Sequence, residues 1–315
     1  MDGTIRVITR SEVRRALDWP TVLPAVERAL VALDGAAADS ASSSHLRAPG
    51  ASLHLKAGLD PDTAMISVKA NLRGERGGMS GGILLFDGRE QRLSALVASA
   101  DLTAIRTAAV AAVCARRLAA GQRDVAILGA GPVAAFTEEA LRFLGAIRTL
   151  RVWSRSLERS TALVEGSGVS AGIAVPSVCE AVRGADVIVT ATPSRMPILT
   201  EEDLDSGSEG RQVILALGAD TAGKRELGDG VLDDAQLYAD SVPDALRVGE
   251  SAHLDPQHQR TIVPIAPLLA DPSLPIPGTR VVMDSVGSSI VDAAVLAVVM
   301  ANLDVRSGTV VALDA

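Results

Sequence analysis

The sequence is poor in lysine, in cysteine and in long apolar runs, and each scarcity removes a class of reading. Of 30 basic residues only Lys56, Lys69 and Lys224 are lysine; the rest are arginine. Where a basic group merely solvates a surface, this chain uses arginine. A lysine therefore marks a position suited to a compact, titratable amine. The two cysteines, Cys114 and Cys179, lie in apolar stretches without metal-like spacing. A reduced, cytoplasmic setting is expected, and a disulfide scaffold or bound metal is not. Although 48% of residues are apolar, no stretch of about 18 runs unbroken, so no membrane span is expected. The start, Met1-Asp2-Gly3-Thr4, lacks the basic and apolar regions of a secretory leader. A net charge of −8 opposes nucleic acid, whose phosphates it would repel, and leaves a small molecule as the expected partner.

At 315 residues the chain exceeds one typical domain. Thr9 and Glu12 form a capping box that opens a helix toward Leu17. An amphipathic helix follows over 21–33, with Val22, Val26, Ala29, Leu30 and Leu33 on one face. Residues 35–44 read as a linker or loop. Strand-like runs at 51–55, 65–69, 82–86 and 93–98 are separated by turn signals at Asp60-Pro61-Asp62, Arg73-Gly74, Gly77-Gly78 and Asp87-Gly88. A long helix over 102–120 ends at Gly121. Strands and helices then alternate to about residue 287, the strands being continuous apolar runs as in a parallel sheet covered on both faces. The apolar helix over 288–303 is expected to return to the first domain. The fold class expected is α/β: a Rossmann domain at 121–287 and a discontinuous α+β domain at 1–120 and 288–315.

Gly129, Gly131 and Ala134 form a G-x-G-x-x-A pattern that follows a strand and opens a helix. In that setting the first glycine permits a tight turn, the second a close approach to pyrophosphate, and the helix N-terminus offers N–H groups. The alternative is a tight turn without a ligand. The next strand ends in Ser154-Arg155-Ser156, where an NAD site would carry an acid for the ribose. Ser and Arg can instead hold a 2′-phosphate, so NADP(H) is favoured over NAD(H), unless Arg155 only caps the sheet edge. The candidate cofactor residues are Thr107, Gly129, Ala130, Gly131, Pro132 and Val133, then Ser154, Arg155 and Ser156. Thr190, Ala191, Thr192 and Gly218 complete the set.

The segments Asp101-Leu-Thr-Ala-Ile-Arg106-Thr107, Gly129-Ala-Gly131 and Gly218-Ala-Asp220-Thr-Ala-Gly223-Lys224-Arg-Glu226 resemble the ornithine cyclodeaminase/mu-crystallin family. So do Gly249-Glu250 and Asp284-Ser285-Val-Gly287. The resemblance runs from about Arg47 to Asp292. It implies a Rossmann domain plus a substrate domain that pairs subunits into a homodimer. It also implies chemistry at a carbon bearing an amino or imino group beside a carboxylate. On this resemblance Arg47, Lys69 and Arg106 bind the substrate carboxylate, and Asp220 is the acid/base, with Lys69 also in the catalytic set.

The residues themselves suit those roles. Arg106 offers a bidentate fork near the start of its helix, where the dipole would also favour an anion, and Lys69 adds a point charge. Asp220 follows the apolar strand over 213–217, where open parallel sheets bind ligands. Each role has a plainer alternative: a surface cation for Arg106, an outward strand residue for Lys69, a turn residue for Asp220. Glu226 and Glu250 are expected to order loops rather than react, and His253 and His258 to occupy a polar loop. The family's cyclodeaminases carry a glutamate for a second amine where this chain has Ser52-Leu-His-Leu-Lys56. The resulting expectation is an NAD(P)H-dependent imine reductase or amino acid dehydrogenase, such as a 1-pyrroline-2-carboxylate reductase. The alternatives are a lyase that retains NAD and a non-catalytic NADPH-dependent ligand-binding protein.

Overall fold

A computed structural model describes residues 4–33, 41–60, 62–74, 79–204, 210–304 and 306–313. In chain order the first elements are β1 (Thr4–Ile8), α1 (Arg10–Arg15), α2 (Trp19–Ala32), β2 (Ala41–Ala48) and β3 (Ala51–Asp60). Then come β4 (Met65–Gly74), β5 (Met79–Asp87), β6 (Arg92–Ala98) and α3 (Ser99–Leu118). The alternating segment comprises β7 (Arg123–Leu128), α4 (Pro132–Phe143), β8 (Ile147–Trp153), α5 (Leu157–Ser167), β9 (Gly172–Ala174), α6 (Val178–Val182) and β10 (Val187–Thr190). It continues through β11 (Gln212–Ala216), α7 (Asp229–Asp233), β12 (Gln236–Ala239), α8 (Val242–Val248), β13 (Val263–Pro264), α9 (Ala266–Ala270) and β14 (Arg280–Asp284). The chain closes with α10 (Ser289–Asn302) and β15 (Thr309–Ala312). Two compact units result, one of Met1–Arg106 with Ser288–Ala315, the other of Thr107–Gly287. The division falls within α3, where the sequence placed it at 120/121.

The first unit is built on a seven-stranded sheet in the order β15-β1-β6-β5-β4-β3-β2. Only β1 and β6 pair in parallel. The capping box forms: the Glu12 carboxylate accepts from the Thr9 backbone N at 2.8 Å and its hydroxyl at 2.6 Å. It also takes the N–H of Gly308 at 2.6 Å, which ties α1 to the approach of β15.

One strand of this sheet inverts the usual pattern, although its neighbours bury Ile83, Leu85, Ala95 and Val97 on the same face. On β4, Ser67, Lys69 and Asn71 are buried, while the alternate residues Ile66 and Leu72 are exposed. Leu84 of β5 and Leu96 of β6 stand opposite each other on that exposed face. The buried face lies under α10, and Gly58 of β3 shows how closely. A Cβ there would sit 2.4 Å from the carbonyl carbon of Ser289, so only glycine lets the helix start descend onto the strand.

Several expectations need correction. Residues 41–44, read as linker, belong to β2, and Arg73-Gly74, read as a turn, ends β4. Residues 35–40, Pro61 and Gly77-Gly78 lie outside the described residues. Strand β2 reads Ala-Ser-Ser-Ser-His-Leu-Arg-Ala and has no apolar alternation to reveal it. Its pairing with β3 makes it a strand.

The second unit holds an eight-stranded, wholly parallel sheet in the order β13-β12-β14-β11-β10-β7-β8-β9. Its central strands β10 and β11 are mainly apolar and buried at every position, as a sheet covered on both faces requires, while β8, nearer the edge, alternates. The strand order reverses at β7, with β8 on one side and β10 on the other. That makes the carboxyl ends of β7 and β10 the switch point where open α/β sheets bind ligands.

Candidate functional site

The turn after β7 sits at that switch point. Gly129 has φ +134°, and a Cβ there would lie 2.5 Å from the carbonyl oxygen of Ala191. Both facts demand glycine. Gly131 is different: its φ is −95° and a Cβ would meet nothing within 4 Å. The fold itself has no need of glycine at 131, whereas a diphosphate approaching the backbone does. Ala130, Pro132 and Val133 complete the turn and open α4, whose N-cap Gly131 supplies no side-chain cap. The N-terminal N–H groups of that helix therefore lack a cap from Gly131 and suit an anion. The residues present fit a dinucleotide diphosphate.

Other cofactor candidates are already engaged. The Ser154 hydroxyl donates to the Ser156 carbonyl at 2.7 Å and lies 2.9 Å from the Ser160 hydroxyl. Ser156 caps α5 by accepting from the Arg159 N–H. Arg155 between them is exposed. Thr190 and Thr192 do not present their hydroxyls outward. Both donate to the buried Glu226 carboxylate, at 2.8 and 2.7 Å. That carboxylate also accepts the N–H groups of Thr192 at 2.6 Å and Gly218 at 2.8 Å. Burial pushes the Glu226 carboxyl up, against the four donors that favour its charge. Gly218 is glycine because of this acid, since a Cβ would fall 2.3 Å from Glu226 Oε2. Thr107 is buried in α3.

Glu250 repeats the device one layer on, accepting the backbone N–H groups of Glu226 at 2.7 Å and Leu227 at 3.1 Å. Burial and the neighbouring Asp284 push its carboxyl up to about 8. Asp284 is pushed up to about 6 by burial and takes the Ser251 N–H at 2.8 Å. Asp240 accepts from the Ser285 hydroxyl and from the N–H groups of Val286 and Gly287. Four buried acids thus hold the loops at the carboxyl edge of the sheet. The expectation that Glu226 and Glu250 order loops describes their contacts.

Asp220 lies on the loop after β11. Its Oδ1 accepts from Lys224 Nζ at 2.5 Å, and the same ammonium donates to the Gly218 carbonyl at 3.0 Å. The Asp220 side chain is 25% exposed and that of Lys224 12%.

In the first unit Lys69 and Arg106 meet a residue that the sequence reading missed. Asp292, in the first turn of α10, is fully buried. Its Oδ2 accepts from Lys69 Nζ at 2.5 Å, and its Oδ1 lies 3.1 Å from Arg106 Nε. Burial alone would push the Asp292 carboxyl up, but Lys69 and Arg106 outweigh it and hold it below the usual range. Burial lowers Lys69 to about 8, partly opposed by Asp292 and reinforced by Arg106 and Lys56. Lys56 stands directly opposite Lys69 across β3 and β4. The available signal was a lone acid in an otherwise apolar helix.

One expectation about this cluster fails. Arg106 is the eighth residue of α3, beyond the first turn over which a helix dipole acts. Arg47 is exposed and pairs with Ser52, itself opposite Arg73. That register lies four residues along the ladder from Lys69, on the same face of the sheet. Among the described residues no group of acids, histidines or cysteines could hold a metal, and no helix is long and apolar enough to cross a membrane.

A parallel sheet with a glycine turn at its switch point and an acid beyond its fifth strand defines a Rossmann-like, dinucleotide-binding α/β architecture. The chain belongs to the ornithine cyclodeaminase/mu-crystallin family, whose profile matches residues 79–306. It is 38% identical over 161 residues to a putative dehydrogenase of Rhizobium meliloti (strain 1021), covering 50% of this chain and 48% of that protein. It is also 38% identical over 167 residues to the ketimine reductase mu-crystallin of Rattus norvegicus, covering 52% of this chain and 51% of the relative. The match thus spans about half the length of these curated relatives. In fold it resembles an archaeal alanine dehydrogenase dimer with bound NAD, at TM-score 0.85 and 23% identity over 98% of this chain and 99% of that one.

Proposed function

We propose that the protein is an NAD(P)H-dependent oxidoreductase acting on the C=N or CH–NH bond of a small imino or amino acid. A cyclic ketimine such as 1-pyrroline-2-carboxylate is the substrate type that fits best. The observation that carries this reading is the buried cluster of two cations, Lys69 and Arg106, against one acid, Asp292. The sheet face keeps a net positive charge out of water, an expensive arrangement unless an anion completes it. A substrate carboxylate does so, held by the fork of Arg106 and the point charge of Lys69.

Asp220 gives a proton to the imine nitrogen, which makes its carbon electrophilic, and recovers it in the oxidative direction. When bound, the dinucleotide supplies or accepts the hydride. Its diphosphate is held by the backbone from Gly129 to Val133 and the start of α4. NADP(H) is favoured because Ser154 stands where an acid would bind the ribose and Arg155 is exposed beside it. The names of the relatives, a dehydrogenase and a ketimine reductase, support this class of chemistry. A cyclodeaminase would need an acid for a second amine, and Lys56 in β3 opposes one.

The protein is proposed to act as a homodimer in the cytoplasm. Support comes from the apolar outer face of the first unit's sheet, where Leu46, Ile66, Leu72, Leu84 and Leu96 are exposed. Both cysteines are free thiols. Sedimentation of the intact chain as a monomer at micromolar concentration would remove the dimer.

The decisive experiment follows NADPH and NADH oxidation with a panel of cyclic imines and of 2-oxo acids plus ammonia, for the intact protein and for Asp220→Asn. We expect turnover with at least one imino acid, a higher kcat/KM with NADPH, and a loss of at least 100-fold in the variant. Full turnover by Asp220→Asn with cofactor binding intact would refute the acid/base role.

A further inference from the structure

Of the three lysines of this arginine-rich chain, the proposed function uses Lys69 and Lys56. Lys224 is the one whose geometry asks for a role. Its Nζ makes two contacts on the loop that carries the acid: Asp220 Oδ1 at 2.5 Å and the Gly218 carbonyl at 3.0 Å. The loop also carries backbone bonds from Asp220 N to Gly218 O and from Lys224 N to Thr221 O, and the Thr221 hydroxyl donates to Asp220 Oδ1 at 3.4 Å. Below it, the buried Glu226 grips the Gly218 N–H. Beside it, the carbonyl of Lys224 meets His253 Nε2 at 3.2 Å. Arg195 reaches Gly223, where a Cβ would lie 3.3 Å from its Nη1.

Among the described residues of this unit, then, His253 and Arg195 meet the loop through the Lys224 carbonyl and Gly223. Glu226 meets it through the Gly218 backbone. The Asp220 carboxylate is ion-paired with Lys224 and also accepts from the Thr221 hydroxyl. A compact ammonium can bond a carboxylate and a carbonyl at once, with its three donors turned as needed. A planar guanidinium imposes its own fork. That accounts for a lysine where this sequence otherwise chooses arginine.

We infer that Lys224 is a positioning residue for the proposed reaction, fixing the Asp220 carboxylate as an anion against the Gly218 carbonyl so that Asp220 can receive the substrate's proton. This rests on Asp220 as acid/base. The oxidative direction shows it best, because there the carboxylate acts as base on the amino acid's ammonium. Removing the neighbouring cation lets the carboxyl keep its own proton to higher pH.

The test uses two neutral replacements of different polarity, Lys224→Met and Lys224→Gln, with Lys224→Arg and Asp220→Asn. A readout independent of substrate is the carboxyl 13C titration of aspartate-labelled protein, with the Asp220 resonance assigned by its loss in Asp220→Asn. In both neutral variants its midpoint is expected to rise by ~1 unit or more, and in Lys224→Arg to stay near that of the parent. With L-proline and NADP+, kcat should fall at least tenfold in the neutral variants while KM changes less than twofold. The acid limb of kcat should move to higher pH by the same amount. Combining Lys224→Met with Asp220→Asn should cost less than a further twofold, since the lysine acts through the aspartate. An unmoved Asp220 midpoint in Lys224→Met and Lys224→Gln overturns the inference, as does full additivity in the double variant. An active Asp220→Asn overturns instead the acid/base reading on which it rests, so the two failures are distinguishable.

Discussion

The two units bury titratable groups in opposite ways. In the second unit the buried groups share one sign: Glu226, Glu250, Asp284 and Asp240 take backbone N–H groups and hydroxyls from the loops at the strand ends. These donors tie the loops at the strand ends to the acids, although Asp284 Oδ1 itself has no hydrogen-bond partner. In the first unit the signs are mixed, with Lys69 and Arg106 sharing Asp292. A carboxylate saturated by N–H groups is finished as a binding element, whereas cations that outnumber their counter-ion still attract an anion. The contrast separates residues that hold loops in place from residues proposed to bind the substrate.

The largest expected effect strikes the mixed cluster. Asp292→Asn leaves Lys69 and Arg106 buried without a counter-charge and should cost about 3–5 kcal/mol in urea unfolding. A cost under 1 kcal/mol would mean that the cations find other partners, and the contrast would lose its basis.

The glycine turn sharpens it next. Gly129→Ala should destabilise by ~1–3 kcal/mol, because φ +134° and the Ala191 carbonyl both exclude a Cβ. Gly131→Ala should leave the melting temperature unchanged while weakening dinucleotide binding roughly tenfold, ~1.4 kcal/mol. Equal stability losses at the two positions would show that glycine at 131 serves the fold.

The smallest effect is a pH dependence. Lys69, lowered to about 8, loses its proton above that pH, and the carboxylate cradle loses one charge. KM for the imino acid should rise by up to about tenfold per unit above pH 8. In stability the sign is opposite. Because Lys69 titrates below its unfolded value of 10.5, its contribution makes the fold more stable as pH rises from about 8 toward 10.5. A KM flat between pH 7 and 9 would remove Lys69 from the carboxylate site.

Legibility in the sequence followed the same division. The parallel sheet was readable because its central strands are mainly apolar runs bounded by glycine or aspartate, and the turn at Gly129 because backbone geometry there tolerates one residue type. In the first unit β4 buries Ser67, Lys69 and Asn71 and exposes Ile66 and Leu72, so alternation there was visible but its direction was not. Strands β3 and β4 ran past the expected ends at 55 and 69 because Lys56, Asp60 and Asn71 interrupt the apolar runs while the ladder continues through them. Asp292 escaped notice because its partners lie more than 180 residues away in sequence.

Composition and local pattern by themselves determined the parallel α/β unit, its glycine turn and the few lysines worth following, since these depend on backbone conformation and on choices made residue by residue. Only the tertiary structure decided that Asp292 sits on Lys69 and Arg106 and that Thr190 and Thr192 serve Glu226. Such pairings depend on which strands share a register and how closely a helix descends on them, and chain separation carries no record of either.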